Sequence, residues 1–254
     1  MKKSKIIKQI RESILKKTFD AQSSHIGSCL SIVEILYSIY FHKLKKKDSF
    51  ILSKGHAALA LYCTLHQKKI LKKKIIDTYG KNNSLLMSHV SHKVKGVEFS
   101  TGSLGHGLPY AVGKALGEKI NKTKSKVYVL ISDGELNEGT TWESLLFASF
   151  HQLDNLFIII DYNKIQSLDF VKNVLKIEPL VKKLSAFNCN VAKINGHDVK
   201  QILSSLNLPK NKKPSIVIAN TIKGKGVEFM ENTISWHYKS PDKKQLDKAL
   251  KNLK

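Results

Sequence analysis

Two short polar strings hold the residues best suited to chemistry, Ser132-Asp133-Gly134-Glu135-Leu136-Asn137-Glu138-Gly139 and Asp161-Tyr162-Asn163-Lys164-Ile165-Gln166. A carboxylate, an amide oxygen and a backbone carbonyl are hard oxygen donors of the kind Mg²⁺ or Ca²⁺ takes. Mg²⁺ keeps few protein carboxylates and fills its shell with phosphate oxygens. Gly134 lets the backbone approach a phosphate closely, and a helix starting after it favours an anion at its N-terminus. Asp133 and Asn163 stand 30 residues apart, each just after an apolar run. A strand–helix–strand unit of that length sets its two ends side by side.

The elements that must position these residues can be read from apolar periodicity. Val127–Ser132 and Leu156–Ile160 are continuous apolar runs of strand length, separated by a helical stretch at Gly139–Gln152. Further strands are expected near Val191–Ile194 and at Ser215–Ala219, with helices near Glu178–Phe187 and after His197-Asp198. Upstream, residues 5–17 carry Ile6, Ile10 and Ile14 on one helical face, and helices are expected at Ser31–Tyr40 and Ala57–His66. A loop is expected from Tyr79 to Thr101. Gly102–Lys119 reads as a glycine-rich turn opening into a helix whose small residues (Ala111, Gly113, Ala115, Gly117) permit close approach to a neighbour. Short apolar strands alternating with helices predict an α/β fold, a parallel sheet covered by helices on both faces. Ligands of such sheets bind beyond the carboxyl ends of the strands, where both polar strings lie.

Bulk composition narrows the function classes. A chain of 254 residues, 42% hydrophobic, can bury one sizeable core. No secretory signal follows the basic start, and the longest apolar runs are too short to span a bilayer, so no membrane partner and a cytoplasmic location are expected. Cys29, Cys63 and Cys189 lack zinc-ligand spacing and read as buried, reduced thiols. The net charge of +23 would suit nucleic acid, but Arg11 is the only arginine and the lysines are scattered. Specific recognition of phosphates and bases draws on the arginine fork. A solvated lysine-rich surface, attractive to anionic substrates, is the better reading, with no specific nucleic-acid partner.

The longer string DGELNEG-x-x-WE, then LDNL, then DYNKIQ resembles the thiamine diphosphate fingerprint as transketolases carry it. The resemblance extends along the chain: through Ser24-His25-Ile26-Gly27-Ser28, Ser53-Lys54-Gly55-His56-Ala57, His89, and Gly96-Val97-Glu98-Phe99-Ser100-Thr101-Gly102-Ser103-Leu104-Gly105-His106-Gly107. It continues through Gly196-His197-Asp198, Lys223-Gly224-Lys225-Gly226-Val227-Glu228 and Trp236-His237. It implies the thiamine diphosphate-binding fold of the diphosphate-binding (PP) domain, with residues 1–254 forming one such domain and a short lysine-rich helix at 241–254.

The same resemblance implies roles. Asp133, Asn163 and the Ile165 carbonyl would hold a divalent metal, Mg²⁺ or Ca²⁺. His56, Gly102, Leu104, Gly134 and His237 would line the cofactor, thiamine diphosphate. Glu138 would stand at a subunit interface near the activating relay. His25, His89 and His237 would face the sugar oxygens and move protons. The activity implied is transfer of a two-carbon ketol unit from a ketose phosphate to an aldose phosphate. Nothing after Asn232 is long enough for the family's pyrimidine-binding domain. A separate C-terminal subunit is therefore expected, in an α₂β₂-like assembly.

His42, His66, His92 and His151 match nothing in the family, and His106 and His197 match motifs without an assigned role. Glu98 and Trp142 read as packing or turn residues. The sequence departs from the family pattern at Ser24, Ile26, Val90, Ser132, Asn188-Cys189 and Tyr238, none of which removes a ligand or a histidine. Competing readings are another two-subunit thiamine enzyme (deoxyxylulose-phosphate synthase-like, or cleaving sulfonates or keto acids), a basic nucleic-acid binder, or a decayed paralogue.

Overall fold

A computed structural model describes residues 3–207 and 211–253. In chain order the elements are α1 (Lys3–Ala21), α2 (Ile26–Leu30), α3 (Val33–Ser38), β1 (Ser49–Leu52), α4 (Ala58–Gln67), α5 (Lys73–Ile76), α6 (Gly107–Ile120) and β2 (Val127–Ser132). There follow α7 (Gly139–Phe150), β3 (Leu156–Tyr162), α8 (Val171–Val174), α9 (Leu180–Ala186), β4 (Asn190–Asn195), α10 (Val199–Ser205), β5 (Ser215–Asn220) and α11 (Lys243–Asn252). All strands are parallel, in the order β1-β2-β3-β5-β4.

Strand alternation feeds two cores. Tyr128, Leu130, Phe157, Ile159 and Val217 point to the face covered by α1, α3, α4, α10 and α11. Val129, Ile131, Ile158, Ile160, Ile216 and Ile218 point to the opposite face, under α6, α7 and α9. A strand buried on both sides needs apolar residues at every position, which is why β2 and β3 read as unbroken runs. The α/β fold expected from the sequence, a parallel sheet covered by helices on both faces, is therefore observed.

Three expectations are revised. The helix anticipated at Ser31–Tyr40 is broken: the Ser31 hydroxyl, with one proton to give, lies 2.8 Å from Asp161 Oδ2 and 3.0 Å from Ser28 O, and the chain turns there before α3 begins. The downstream end continues into a π turn at Ile39–Lys43. Strand β1 is an addition; it is only four residues long, follows a lysine cluster and carries no distinct pattern. The small residues of α6 fall on two faces: Ala111 and Ala115 are buried in the core, whereas Gly113 and Gly117 face open space. A Cβ at Gly113 or Gly117 would meet nothing within 4 Å among the described residues. The C-terminal helix ends at Asn252, and Lys254 lies outside the described residues.

The three thiols, Cys29, Cys63 and Cys189, are buried and free, and among the described residues no helix is long and apolar enough to cross a membrane.

Candidate active site

Four neighbouring strands, β1, β2, β3 and β5, each deliver a polar residue at their carboxyl ends. Lys54 follows β1, Asp133 follows β2, Asn163 follows β3, and Lys223 comes three residues beyond β5. Register makes this a row: Leu52 pairs with Leu130, Ser132 with Asp161, and Tyr162 with Asn220. Adjacent strands lie about 4.8 Å apart, so residues far apart in sequence become neighbours. Lys54, Asp133 and Asn163 line a cavity of about 350 Å³ with His25, His56, His89, Gly102, Leu104, Gly134, Glu138, Ile165 and His237, two of which, Ile165 and His237, the buried Lys223 reaches by hydrogen bond.

The floor is ionic. Lys54 and Asp161, both 0% exposed, form a buried ion pair. Asp161 also accepts from the Thr221 hydroxyl, from Ser31 Oγ at 2.8 Å and from Asn163 Nδ2 at 3.0 Å. Burial alone would raise its pKa, but the Lys54 ammonium and these donors hold the carboxyl below its usual range. Asp133 is different. Burial and repulsion from Asp161 push it up to about 7. One of its oxygens accepts the Lys164 N–H at 2.6 Å. Lys223, 1% exposed, places Nζ 3.1 Å from both the Ile165 and Gln166 carbonyls and 2.8 Å from His237 Nδ1. Burial and the neighbouring Lys54 lower its pKa to about 8.

Glu135 is a second buried carboxylate that ties loops together. It accepts from the Ser53 hydroxyl, from Gly105 N–H at 3.2 Å and from Ser132 N–H at 3.0 Å. Gly55 has no room for a side chain, since a Cβ there would come within 2.3 Å of the Thr101 carbonyl. The loop after β1 and the Thr101–Leu104 turn are thereby pressed together at the cavity wall.

The histidines form one cluster. His25 lies 5.0 Å from His237, 5.4 Å from His56 and 5.7 Å from His89, measured between ring centroids. His25 adopts a left-handed backbone (φ 70°), a conformation that costs a non-glycine residue about 1–2 kcal/mol. Its N–H donates to the His237 carbonyl at 2.7 Å, which holds it there. Burial, then repulsion from His89, Lys223 and Lys54, lowers the His25 pKa to about 4. Burial and Lys223 lower that of His237 to about 3. Burial, with Lys54 next, holds His56 well below the ordinary value. These rings are neutral at neutral pH and can both accept and donate protons. His237 Nδ1 accepts from the Lys223 ammonium, which leaves its ring proton on Nε2. Tyr238, 62% exposed, stands beside His237 at the mouth (centroids 4.8 Å apart).

These donors fit a divalent metal and a diphosphate. Asp133, Asn163 and the Ile165 carbonyl present hard oxygens at the ends of adjacent strands, and a cation, Lys223, is already drawn to one of them. Among the described residues no group of three His, Cys, Asp or Glu side chains could hold a metal. Gln166 lines the same cavity, and its buried amide nitrogen has no hydrogen-bond partner among the described residues, a donor left for an anion.

The sequence pattern of the family described as "Transketolase, thiamine diphosphate binding domain" matches residues 2–253. The chain belongs to this family. It is 42% identical over 264 residues to one of the subunits of the apulose-4-phosphate transketolase of Actinobacillus succinogenes, covering 100% of the chain and 95% of that protein. It is 36% identical over 240 residues to 6-deoxy-6-sulfo-D-fructose transketolase subunit SqwG of a Clostridium species, covering 90% and 87% respectively. Among solved structures, transketolase from Campylobacter jejuni superposes with a TM-score of 0.88 at 28% identity, covering 98% of this chain but only 41% of that one. The chain thus spans well under half the length of the transketolase structures it matches.

All candidate residues named from the sequence converge on this cavity. Glu138 is the most exposed of the carboxylates there, at the start of α7. Sequence reasoning passed over Lys54, Asp161, Glu135 and Lys223. A lysine directly after a strand, inside a Ser-Lys-Gly-His string, was the available signal for Lys54. The Thr221-Ile222-Lys223-Gly224 segment after β5 offered the same signal for Lys223. Trp142 is a packing residue as expected, donating to the Leu136 carbonyl at 2.9 Å.

Proposed function

We propose that this chain is the diphosphate-binding subunit of a two-chain, thiamine diphosphate-dependent transketolase acting on phosphorylated sugars. The observation that carries the reading is the row of Lys54, Asp133, Asn163 and Lys223 along adjacent strand ends, facing a cluster of neutral histidines. When bound, thiamine diphosphate supplies the carbon nucleophile and electron sink for moving a two-carbon ketol unit.

Asp133, Asn163 and the Ile165 carbonyl hold Mg²⁺, with Ca²⁺ as a substitute of the same donor preference. Gly134, Gly102 and Leu104 bring backbone against the diphosphate, with His56 and His237 beside it. Lys54 and Lys223 supply positive charge beneath it. His25, His89 and His237 bind the sugar hydroxyls and carbonyl oxygen and pass protons among them, a task for which neutral rings are suited. Glu138, exposed at the start of α7, reaches toward a neighbouring subunit.

A partner is supported by exposed apolar surface on α7, the helix that starts after Glu138. Leu146, Phe147 and Phe150 on α7 are exposed, Phe150 by 81%. Helix α6, which packs beside α7, has open space over Gly113 and Gly117. Two relatives are named as subunits, which supports a separate chain carrying the pyrimidine-binding and C-terminal domains. The assembly is read as α₂β₂-like and the protein as residing in the cytoplasm. Their names extend the donor class beyond common pentose phosphates, to apulose 4-phosphate and 6-deoxy-6-sulfofructose.

The test is reconstitution of the chain with a candidate partner, thiamine diphosphate and Mg²⁺, against a panel of ketose donors. Ketol transfer from a sugar phosphate, seen only with both chains present, is expected. Full transfer by this chain alone would sink the two-chain reading, and pyruvate consumption would move the protein to the synthase class.

A further inference from the structure

The Gly196-His197-Asp198 motif has no part in the cavity, yet it holds a largely buried histidine. Asp198 has a local task, capping α10 by accepting from Lys200 N–H at 2.8 Å. His197 faces elsewhere. Its Nε2 lies 2.8 Å from the Ile222 N–H, and its Nδ1 lies 3.1 Å from Glu34 Oε2. A nitrogen that accepts a backbone N–H carries no proton, so the ring proton sits on Nδ1 and is donated to Glu34. Glu34 is gripped in turn by Arg11 Nη2, at 2.7 and 2.9 Å from its two oxygens.

Arg11 also acts directly. Its Nε donates to the Lys225 carbonyl at 3.0 Å. One guanidinium therefore holds both sides of Lys223: Lys225 by its own N–H, and Ile222 through Glu34 and His197. Only a planar fork with donors on separate nitrogens reaches a carboxylate and a carbonyl together. Gly226 makes room for it, with φ +94° and a Cβ that would fall 2.9 Å from Arg11 Nε. Arg11 and Glu34 are buried, so the network is shielded from solvent screening.

We propose that Arg11, Glu34 and His197 are positioning residues that clamp the Ile222–Lys225 turn and thereby aim the Lys223 ammonium at the Ile165 and Gln166 carbonyls and His237 Nδ1, fixing the wall of the cofactor cavity. The aiming part rests on the reading of the cavity given above. A lysine stem is flexible, and Lys223 must satisfy three acceptors at once, the Ile165 and Gln166 carbonyls and His237 Nδ1. Anchoring its backbone on both sides removes the freedom that would blur those contacts.

Two substitutions separate the clamp from general packing. In His197→Gln one amide can serve both partners, its oxygen accepting the Ile222 N–H and its nitrogen donating to Glu34. In His197→Asn the shorter side chain can still donate to Glu34 but cannot reach Ile222. Amide hydrogen exchange of the full chain without cofactor is expected to speed up at residues 222–226 by about tenfold in His197→Asn, and to stay near wild type in His197→Gln. Affinity for thiamine diphosphate with Mg²⁺, by calorimetry on the chain reconstituted with its partner subunit, should fall by about tenfold in His197→Asn. In a Lys223→Met background the His197→Asn change should have no further effect on that affinity, because its target is gone. Unchanged exchange in His197→Asn overturns the clamp, as does equal damage by Gln and Asn. A full affinity loss persisting without Lys223 overturns the aiming. Absence of thiamine diphosphate binding by wild type would defeat the cofactor reading and the aiming together, while the exchange result still decides the clamp.

Discussion

Replacing Lys54 with Met removes the cation paired with Asp161 while keeping the apolar stem. Both partners of this pair are fully buried. Breaking a buried ion pair from one side costs about 3–5 kcal/mol, because the remaining charge has no counter-charge. Asp161 retains donors from Ser31, Thr221 and Asn163, so a loss of about 3 kcal/mol is the better expectation. At roughly 2–4 °C per kcal/mol for a domain of this size, the melting temperature should fall by about 6–12 °C. Asp161→Asn alone strands the ammonium and should also destabilise. The double variant has no charge left to strand, and should lose at least about 2 kcal/mol less than the sum of the single losses. Urea unfolding of the four proteins measures this cycle. A Lys54→Met protein within about 1 kcal/mol of wild type, or strictly additive losses, would show that the pair does not organise the cavity floor.

Asp133→Asn keeps the local fold but removes the one carboxylate among the proposed metal donors; Mg²⁺-dependent thiamine diphosphate affinity should drop at least about tenfold in titration calorimetry, since even outer-shell losses at metal sites reach that size. Phe150→Asp should weaken association with the partner by roughly thirtyfold, or about 2 kcal/mol, in sedimentation or pull-down titration, with no change in the melting temperature of the isolated chain. The lowered His25 and His237 pKa values set a pH dependence of stability. Between about pH 6.5 and 4 the unfolded chain binds protons that the folded chain refuses, so stability falls as pH falls through that window. Asp133, raised to about 7, acts in the opposite sense over the same window, so the comparison isolates the histidines: the change in denaturation midpoint of the cofactor-free chain from pH 7 to pH 5 should be more destabilising in wild type than in a His25→Gln, His237→Gln double variant, and an equal change in both would contradict the assignment of neutral rings.

The amino-acid sequence by itself determined the sheet strands with continuous apolar runs, because residues buried on both faces leave a mark at every position. It also located Asp133 and Asn163 beyond strand ends, since a polar string abutting such a run has only one place to go. The histidines His25, His56, His89 and His237 were legible through motif resemblance, not through periodicity. What only the tertiary structure decided are the pairings across distance. Lys54 meets Asp161 across 107 residues. Lys223 meets Ile165 across 58 residues. His197 meets Glu34 across 163 residues. Nothing local marks such a lysine as buried, because its cost of desolvation is offset by a carboxylate or carbonyl supplied by another strand. The same holds for strand β1 and for the break at Ser31. A four-residue strand gains its identity from hydrogen bonds to β2, and the Ser31 hydroxyl leaves its helix because Asp161 is there to receive it. Asp133 and Asn163 at the proposed diphosphate end were written in local pattern; the buried charges around them exist only once the sheet has assembled.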